Sequence, residues 1–187
     1  MTNETEISSA RYRIDARRGS FKVRAFADGL LSFAGHSPTF AVRKYGGEIN
    51  IDANGADSML LVARADSLSL LDKMSEKDSA EIENTMRENV LETSRFPEII
   101  FVSKDVSMRE ISNGRFAVKA NGNLSLCGET RPQTIEAEAE IENETIRARG
   151  EFVLKQSDFN IKPVKALGGT LKVKDEVNIS FEIAAQI

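Results

Sequence analysis

From Tyr12 to the carboxyl end the chain alternates apolar and polar residues with a period of two, the spacing of strands that bury one face and wet the other. Phe116, Val118, Ala120, Gly122, Leu124 and Leu126 share one parity, and Arg115, Lys119, Asn121, Asn123 and Ser125 hold the other. Ile135, Ala137, Ala139 and Ile141 then alternate with four glutamates, Glu136 to Glu142. After a polar turn at Asn143-Glu144 the return strand alternates Ile146, Ala148, Gly150, Phe152 and Leu154 with Arg147, Arg149, Glu151 and Lys155. A hairpin centred on that turn sets Glu140 against Arg147 and Glu138 against Arg149, opposite charges that favour this register. The same pattern predicts a long final strand over Val177–Ile187, strands around Phe21–Ala27 and Ile49–Ile51, and further strands at Pro38–Val42 and Met59–Ala65. Gly46-Gly47 reads as a bulge or tight bend, and Gly168-Gly169 as a turn. The count comes to about eight strands.

One segment breaks the alternation. Between Ser75 and Leu91, Ile82, Met86 and Val90 fall at helical spacing among acidic and amide residues, which predicts a single amphipathic helix over about 75–91. Ser75, followed three residues later by Asp78, supplies an amino-terminal cap, and Pro97 keeps the helix from running into the next strand.

Many strands with one apolar face close into a barrel or stack into a sandwich, and alternation alone does not choose between them. The inward parity is rich in small residues, among them Ala25, Ala63, Ala120, Gly122, Ala139 and Gly150. Two consequences are open. The small side chains leave room for a ligand, or they let bulky partners such as Phe40, Phe101, Phe116, Phe152 and Phe181 interdigitate across a filled core.

Composition narrows the function. The 187 residues fit one domain, with 41% hydrophobic and 29% charged residues, a globular balance. A net charge of -4 leaves no basic stripe, so nucleic acid is not an expected partner. The acidic, polar start and the shortness of every apolar run predict no export signal and no membrane insertion, hence a cytoplasmic protein. Cys127 is the single cysteine and His36 the single histidine, so neither a disulfide nor a zinc cluster is expected. Cys127 falls on the outward parity beside Gly128, the place of a solvated thiol. His36 lies in a loop entering a strand, where it can bond backbone or face a ligand head group. Neither a Gly-x-Ser-x-Gly elbow nor a phosphate-binding glycine loop occurs. These absences argue for a non-enzyme without cofactor or metal.

Several stretches, in this order, resemble the YceI-like polyisoprenoid-binding family over essentially Tyr12 to Ile187. Tyr12-Arg13-Ile14-Asp15, Phe33-Ala34-Gly35-His36-Ser37 and Gly46-Gly47-Glu48-Ile49-Asn50-Ile51-Asp52 are similar to its opening strands. Phe96-Pro97-Glu98-Ile99-Ile100-Phe101-Val102-Ser103 resembles its aromatic-Pro-x-Ile-x-Phe-x-Ser strand. Gly122-Asn123-Leu124-Ser125-Leu126-Cys127-Gly128-Glu129-Thr130-Arg131-Pro132 looks like its Gly-x-Leu-x-x-x-Gly-x-Thr-x-Pro hairpin. Ser157-Asp158-Phe159-Asn160-Ile161 resembles its Ser-Asp-Phe-Gly-Ile turn, and Asp175 to Ala185 its closing strand. Gly19-Ser20 stands where many members have histidine before serine, and Asn160 where they have glycine; asparagine tolerates the positive φ such a turn needs.

The resemblance implies an all-β fold, a closed antiparallel, lipocalin-like barrel over residues 11–187 behind a polar tail at 1–10, with the helix near its mouth. It further implies a bacterial protein that holds an isoprenoid or other amphiphilic lipid in its pore, and by family analogy a homodimer. The residues expected to line the pore are Val23, Phe40, Ile82, Met86, Phe101, Phe116, Val118, Phe152, Leu154 and Phe181, with His36 near the head group. Carriage, storage or sensing of that lipid are alike compatible with the pattern. Two other functions stand beside binding: a protein-interaction or stress-response module with a filled barrel, and an enzyme acting through His36 on a small apolar substrate.

Overall fold

Every alternating segment of the sequence becomes a strand of one antiparallel sheet. The structure is a computed structural model that describes residues 10–28, 37–52, 55–162, 165–166 and 171–187. The strands are β1 (Ala10–Ile14), β2 (Ser20–Asp28), β3 (Thr39–Val42), β4 (Tyr45–Asp52), β5 (Gly55–Arg64), β6 (Leu68–Leu70), β7 (Glu98–Ser112), β8 (Arg115–Leu126), β9 (Glu129–Glu142), β10 (Thr145–Lys155), β11 (Lys165–Ala166) and β12 (Leu171–Gln186). Helix α1 (Glu76–Thr85) continues into a π-helical turn, Met86–Val90.

The sheet closes on itself, because β12 pairs with β10 along one edge and with β2 and β1 along the other. Six of the strands are the halves of three long, bent staves. A 3₁₀ turn at Ala16–Arg18 separates β1 from β2, two residues separate β3 from β4, and a second 3₁₀ turn at Ala65–Ser67 separates β5 from β6. Pairing follows the bends: β1 meets β4 while β2 meets β3, and β4 meets β5 while β3 meets β6. With β7, β8, β9, β10 and β12 the result is an eight-stave barrel, which leaves few exposed edges for aggregation.

Hairpin register follows the charge pattern. Arg147 pairs with Glu140 and Arg149 with Glu138, and the Arg149 guanidinium donates to Glu138 Oε2 at 2.8 Å. That ion pair, with Arg115 also nearby, holds the Glu138 carboxyl below its ordinary pKa. The helix begins where the cap predicts: Ser75 Oγ accepts from the Asp78 N–H at 3.1 Å. Asn160 adopts φ 56°, the left-handed turn that stands in for glycine.

Two expectations need correction. The pairing of Gly46 and Gly47 with Val62 and Leu61 is regular, and the register shift falls instead at Asn50/Ile51. Gly47 is required for another reason: its φ is 148°, and a Cβ there would collide with the backbone of Leu60. Cys127 is not a solvated strand residue. It sits half-buried at φ 50° in the β8–β9 turn, where the alternation that placed it outward has already ended with Leu126.

Candidate functional site

Inward side chains from every stave converge on an elongated cavity at the end of the barrel covered by α1. The space open to the centre of a water molecule is about 170 Å³, and the whole atom-free volume, including solvent at the mouth, is about 1290 Å³. The first figure is the one comparable with ordinary small-molecule sites, and it lies below their ~300–1,000 Å³.

The wall is built in layers. Strand β2 contributes Phe21, Val23 and Ala25, and β3 contributes Phe40 and Val42. Strands β5 and β7 add Leu61, Ala63, Ile99 and Phe101, the last only 2% exposed. From β10 come Phe152 and Leu154, and from β12 Val173, Val177 and Ile179. The helix presents Ile82, Thr85, Met86 and Val90, one side of its surface, over the barrel end. It is tied down there by Glu83, whose Oε1 accepts from the Leu70 N–H at 2.8 Å while its Oε2 pairs with Arg87 at 2.8 Å.

Only Thr85 and Gln156 interrupt this apolar wall among the described residues. The Gln156 amide nitrogen already donates to the Lys174 carbonyl at 2.8 Å, which leaves its amide oxygen and second N–H to meet a polar ligand atom. Among the described residues no polar or charged side chain is buried in the core, and no three potential metal ligands cluster.

Of the residues the sequence pointed to, Val23, Phe40, Ile82, Met86, Phe101, Phe152 and Leu154 are brought together around this one cavity. Phe116, Val118 and Phe181 face inward too but are not part of its wall. Phe116 and Phe181 are buried, at 8% exposure each, in the opposite half of the barrel. His36 lies outside the described residues. The lining expected from the sequence omits Phe21, Leu68, Val90, Leu91, Ile161 and Ile179, all of which line the cavity. For Phe21 and Ile179 the signal was present, since they share the inward parity of Val23 and Phe181; Thr85 could have been found three residues from Ile82 on the same helix face.

The cavity stops partway down. On three staves the inward residues leave the wall in turn: after Ile179 comes Phe181, after Phe152 comes Gly150, and after Leu124 comes Gly122. There the Phe21 and Phe181 rings stack with centroids 5.9 Å apart, and Tyr45 packs on Phe21 at 5.8 Å. Farther on, Ile14, Ile51, Ala120, Ala139, Ile146 and Ile183 fill the barrel with buried side chains. The small inward residues therefore divide. Ala25 and Ala63 leave space in the open half, whereas Gly122 and Gly150 make room for aromatic rings: a Cβ on them would lie 2.8 Å from the Phe101 ring and 2.7 Å from the Phe181 ring.

Cys127 lies beside the helix end. Its Sγ is 3.6 Å from the Val90 carbonyl and 3.7 Å from the Leu91 carbonyl. Burial, assisted by the Glu92 carboxylate, pushes its pKa up to about 11, the opposite of what a nucleophilic cysteine requires.

Comparison with known proteins agrees with this architecture. BcnA of Burkholderia cenocepacia superposes with a TM-score of 0.70 at 18% identity, over 92% of this chain and 99% of its own. A polyisoprenoid binding domain from Saccharophagus degradans, implicated in plant cell wall breakdown, gives 0.68 at 13% identity over 94% and 97%. The YceI protein of Campylobacter jejuni gives 0.59 at 16% identity over 78% and 82%. Identities this low speak to the fold alone. No curated protein matches the sequence, and no described helix is long and apolar enough to cross a membrane. The YceI-like domain model matches residues 4–185, nearly the entire length, and the chain belongs to that family.

Proposed function

We propose that this protein binds an apolar or amphiphilic small molecule, an isoprenoid or another lipid chain, in the helix-covered half of its barrel, and carries or stores it without transforming it. The observation that carries the reading is the cavity itself: a space open at its mouth whose wall, among the described residues, is apolar except for Thr85 and Gln156. An empty apolar cavity is costly to a folded protein, and a hydrocarbon ligand offsets that cost. Each methylene transferred from water contributes about 0.8 kcal/mol, so a tail of about a dozen carbons supplies on the order of 10 kcal/mol before the cost of association. The two polar residues of the wall, Thr85 and Gln156, suit a head group that needs orienting more than neutralising.

A non-catalytic role is supported by the inventory of reactive groups. The cysteine is held protonated, and the wall presents neither an acid nor a base among the described residues. The Saccharophagus degradans domain, described as polyisoprenoid binding, shares the fold and so favours a lipid over other apolar ligands.

Native mass spectrometry of the purified protein, followed by organic extraction, tests the reading. A co-purifying lipid that is released by solvent and lost when Ala63→Phe fills the cavity is the expected result. An apo protein that also takes up no added lipid overturns it.

A further inference from the structure

We propose that the paired rings of Phe21 and Phe181 act as a ruler that sets the length of chain the barrel accepts, so that its ligand buries about ten to twelve carbons in extended form. The inference rests on the lipid-binding reading above and adds a length and the residues that determine it.

The depth follows from the staves. On β2 the wall runs from Phe21 to Ala25, and on β12 from Val173 to Ile179, which a register shift after Val173 sets against the β2 rungs Ala27 to Val23, so each strand covers four rungs and the two together six. At about 3.3 Å per step these are ~13 and ~20 Å along the strand, and barrel strands tilt by roughly 35–45°, which leaves ~10–15 Å along the axis. An extended backbone advances about 3.3–3.6 Å for every three bonds. A hydrocarbon of the same zigzag geometry therefore uses up the depth in about nine to thirteen bonds.

The stop is rigid. Phe21 lines the cavity, and Phe181, its register partner on the neighbouring strand, lies beside it with the two rings stacked at a tilt of only 21°. Phe181 is confined where its ring fills the hollow over Gly150 and where its next inward neighbours, Ile183 and Ala185, are buried. A longer chain must fold back or leave its excess at the mouth.

Straight-chain alcohols from octanol through octadecanol, together with geraniol, farnesol and geranylgeraniol, are titrated into delipidated protein by displacement of a fluorescent apolar dye. The expected affinity rises about fourfold per carbon and breaks near ten to twelve carbons, flattening beyond. Phe181→Ala moves the break to longer chains. Should that variant not fold, Phe21→Leu lowers the floor with a smaller loss of volume, and Val23→Phe, which projects into existing space, moves the break to shorter chains. An affinity that keeps climbing to octadecanol, or a break that stays put in every folded variant, overturns the ruler while the lipid-binding reading stands. Failure of every chain to bind overturns both.

Discussion

The ring of Phe181 lies over Gly150, so close that a Cβ on that glycine would stand 2.7 Å from the ring edge. This one relationship divides the barrel. On one side lie the buried side chains of Ile14, Ile51, Ile146 and Ile183, with a shallow groove bordered by Val118, Ala137 and Gly150, and on the other the apolar cavity. Truncating Phe181 to alanine removes a side chain buried on all sides and should cost about 3–5 kcal/mol. The same truncation at Phe152, half-buried at the edge of an existing cavity, removes fewer contacts and should cost clearly less. Urea unfolding of the two variants checks the difference; equal losses would mean that the two halves are packed alike.

The glycines of the floor make a second expectation. Gly150→Ala has to push aside the Phe181 ring and the Glu136 carbonyl, and Gly122→Ala the Phe101 ring and the backbone of Val102. Forcing a methyl into such packing costs about 1–3 kcal/mol. Gly46→Ala is the control, because nothing lies within 4 Å of the added carbon. Chemical denaturation should show two midpoints lowered and the third unchanged within about 0.5 kcal/mol.

Much of this architecture could be read from residues alone. The Glu138–Arg149 register, the Ser75 cap and the left-handed Asn160 depend on neighbours a few positions away, so local chemistry specifies them. What alternation lacks is an axial coordinate. Phe116 and Phe152 share an inward parity, yet one is sealed in the filled half and the other lines the cavity. Their level is decided by strand tilt and by which rings meet across the barrel, contacts between strands far apart in sequence. Cys127 shows the opposite limit: a single positive φ in a turn overrode a parity rule that held for the twelve residues before it.

Removing the cap gives a prediction about the mouth. Ser75→Ala leaves the Asp78 N–H without its side-chain acceptor and should cost about 1 kcal/mol of helix stability. The helix contributes Ile82, Thr85 and Met86 to the cavity wall, so its amides should exchange faster with solvent while those of β8, β9 and β12 keep their protection. Hydrogen exchange resolved by peptide measures both. Uniform loss of protection across barrel and helix would show that the two unfold as one unit.

Cys127 makes stability depend on alkaline pH, with a sign that can be worked out. Its thiol titrates near 9.0 when unperturbed, but burial under the helix end, with Glu92 nearby, raises it to about 11 in the folded protein. Because the folded state holds its proton more tightly, the stabilisation is fully present below pH 9 and drains away as pH rises toward 11, where the unfolded chain gains an ionised thiolate that the folded protein resists. The side chain is only half-buried, so solvent screening makes the loss smaller than the shift alone implies. Cys127→Ala removes the titrating group. Its unfolding midpoint should fall less steeply than that of the parent between pH 9 and 11, and alkylation of the parent thiol by iodoacetamide at pH 8 should be slower than that of a free cysteine peptide. Parallel pH profiles together with fast alkylation would mean that the thiol is neither buried nor held protonated at the helix end.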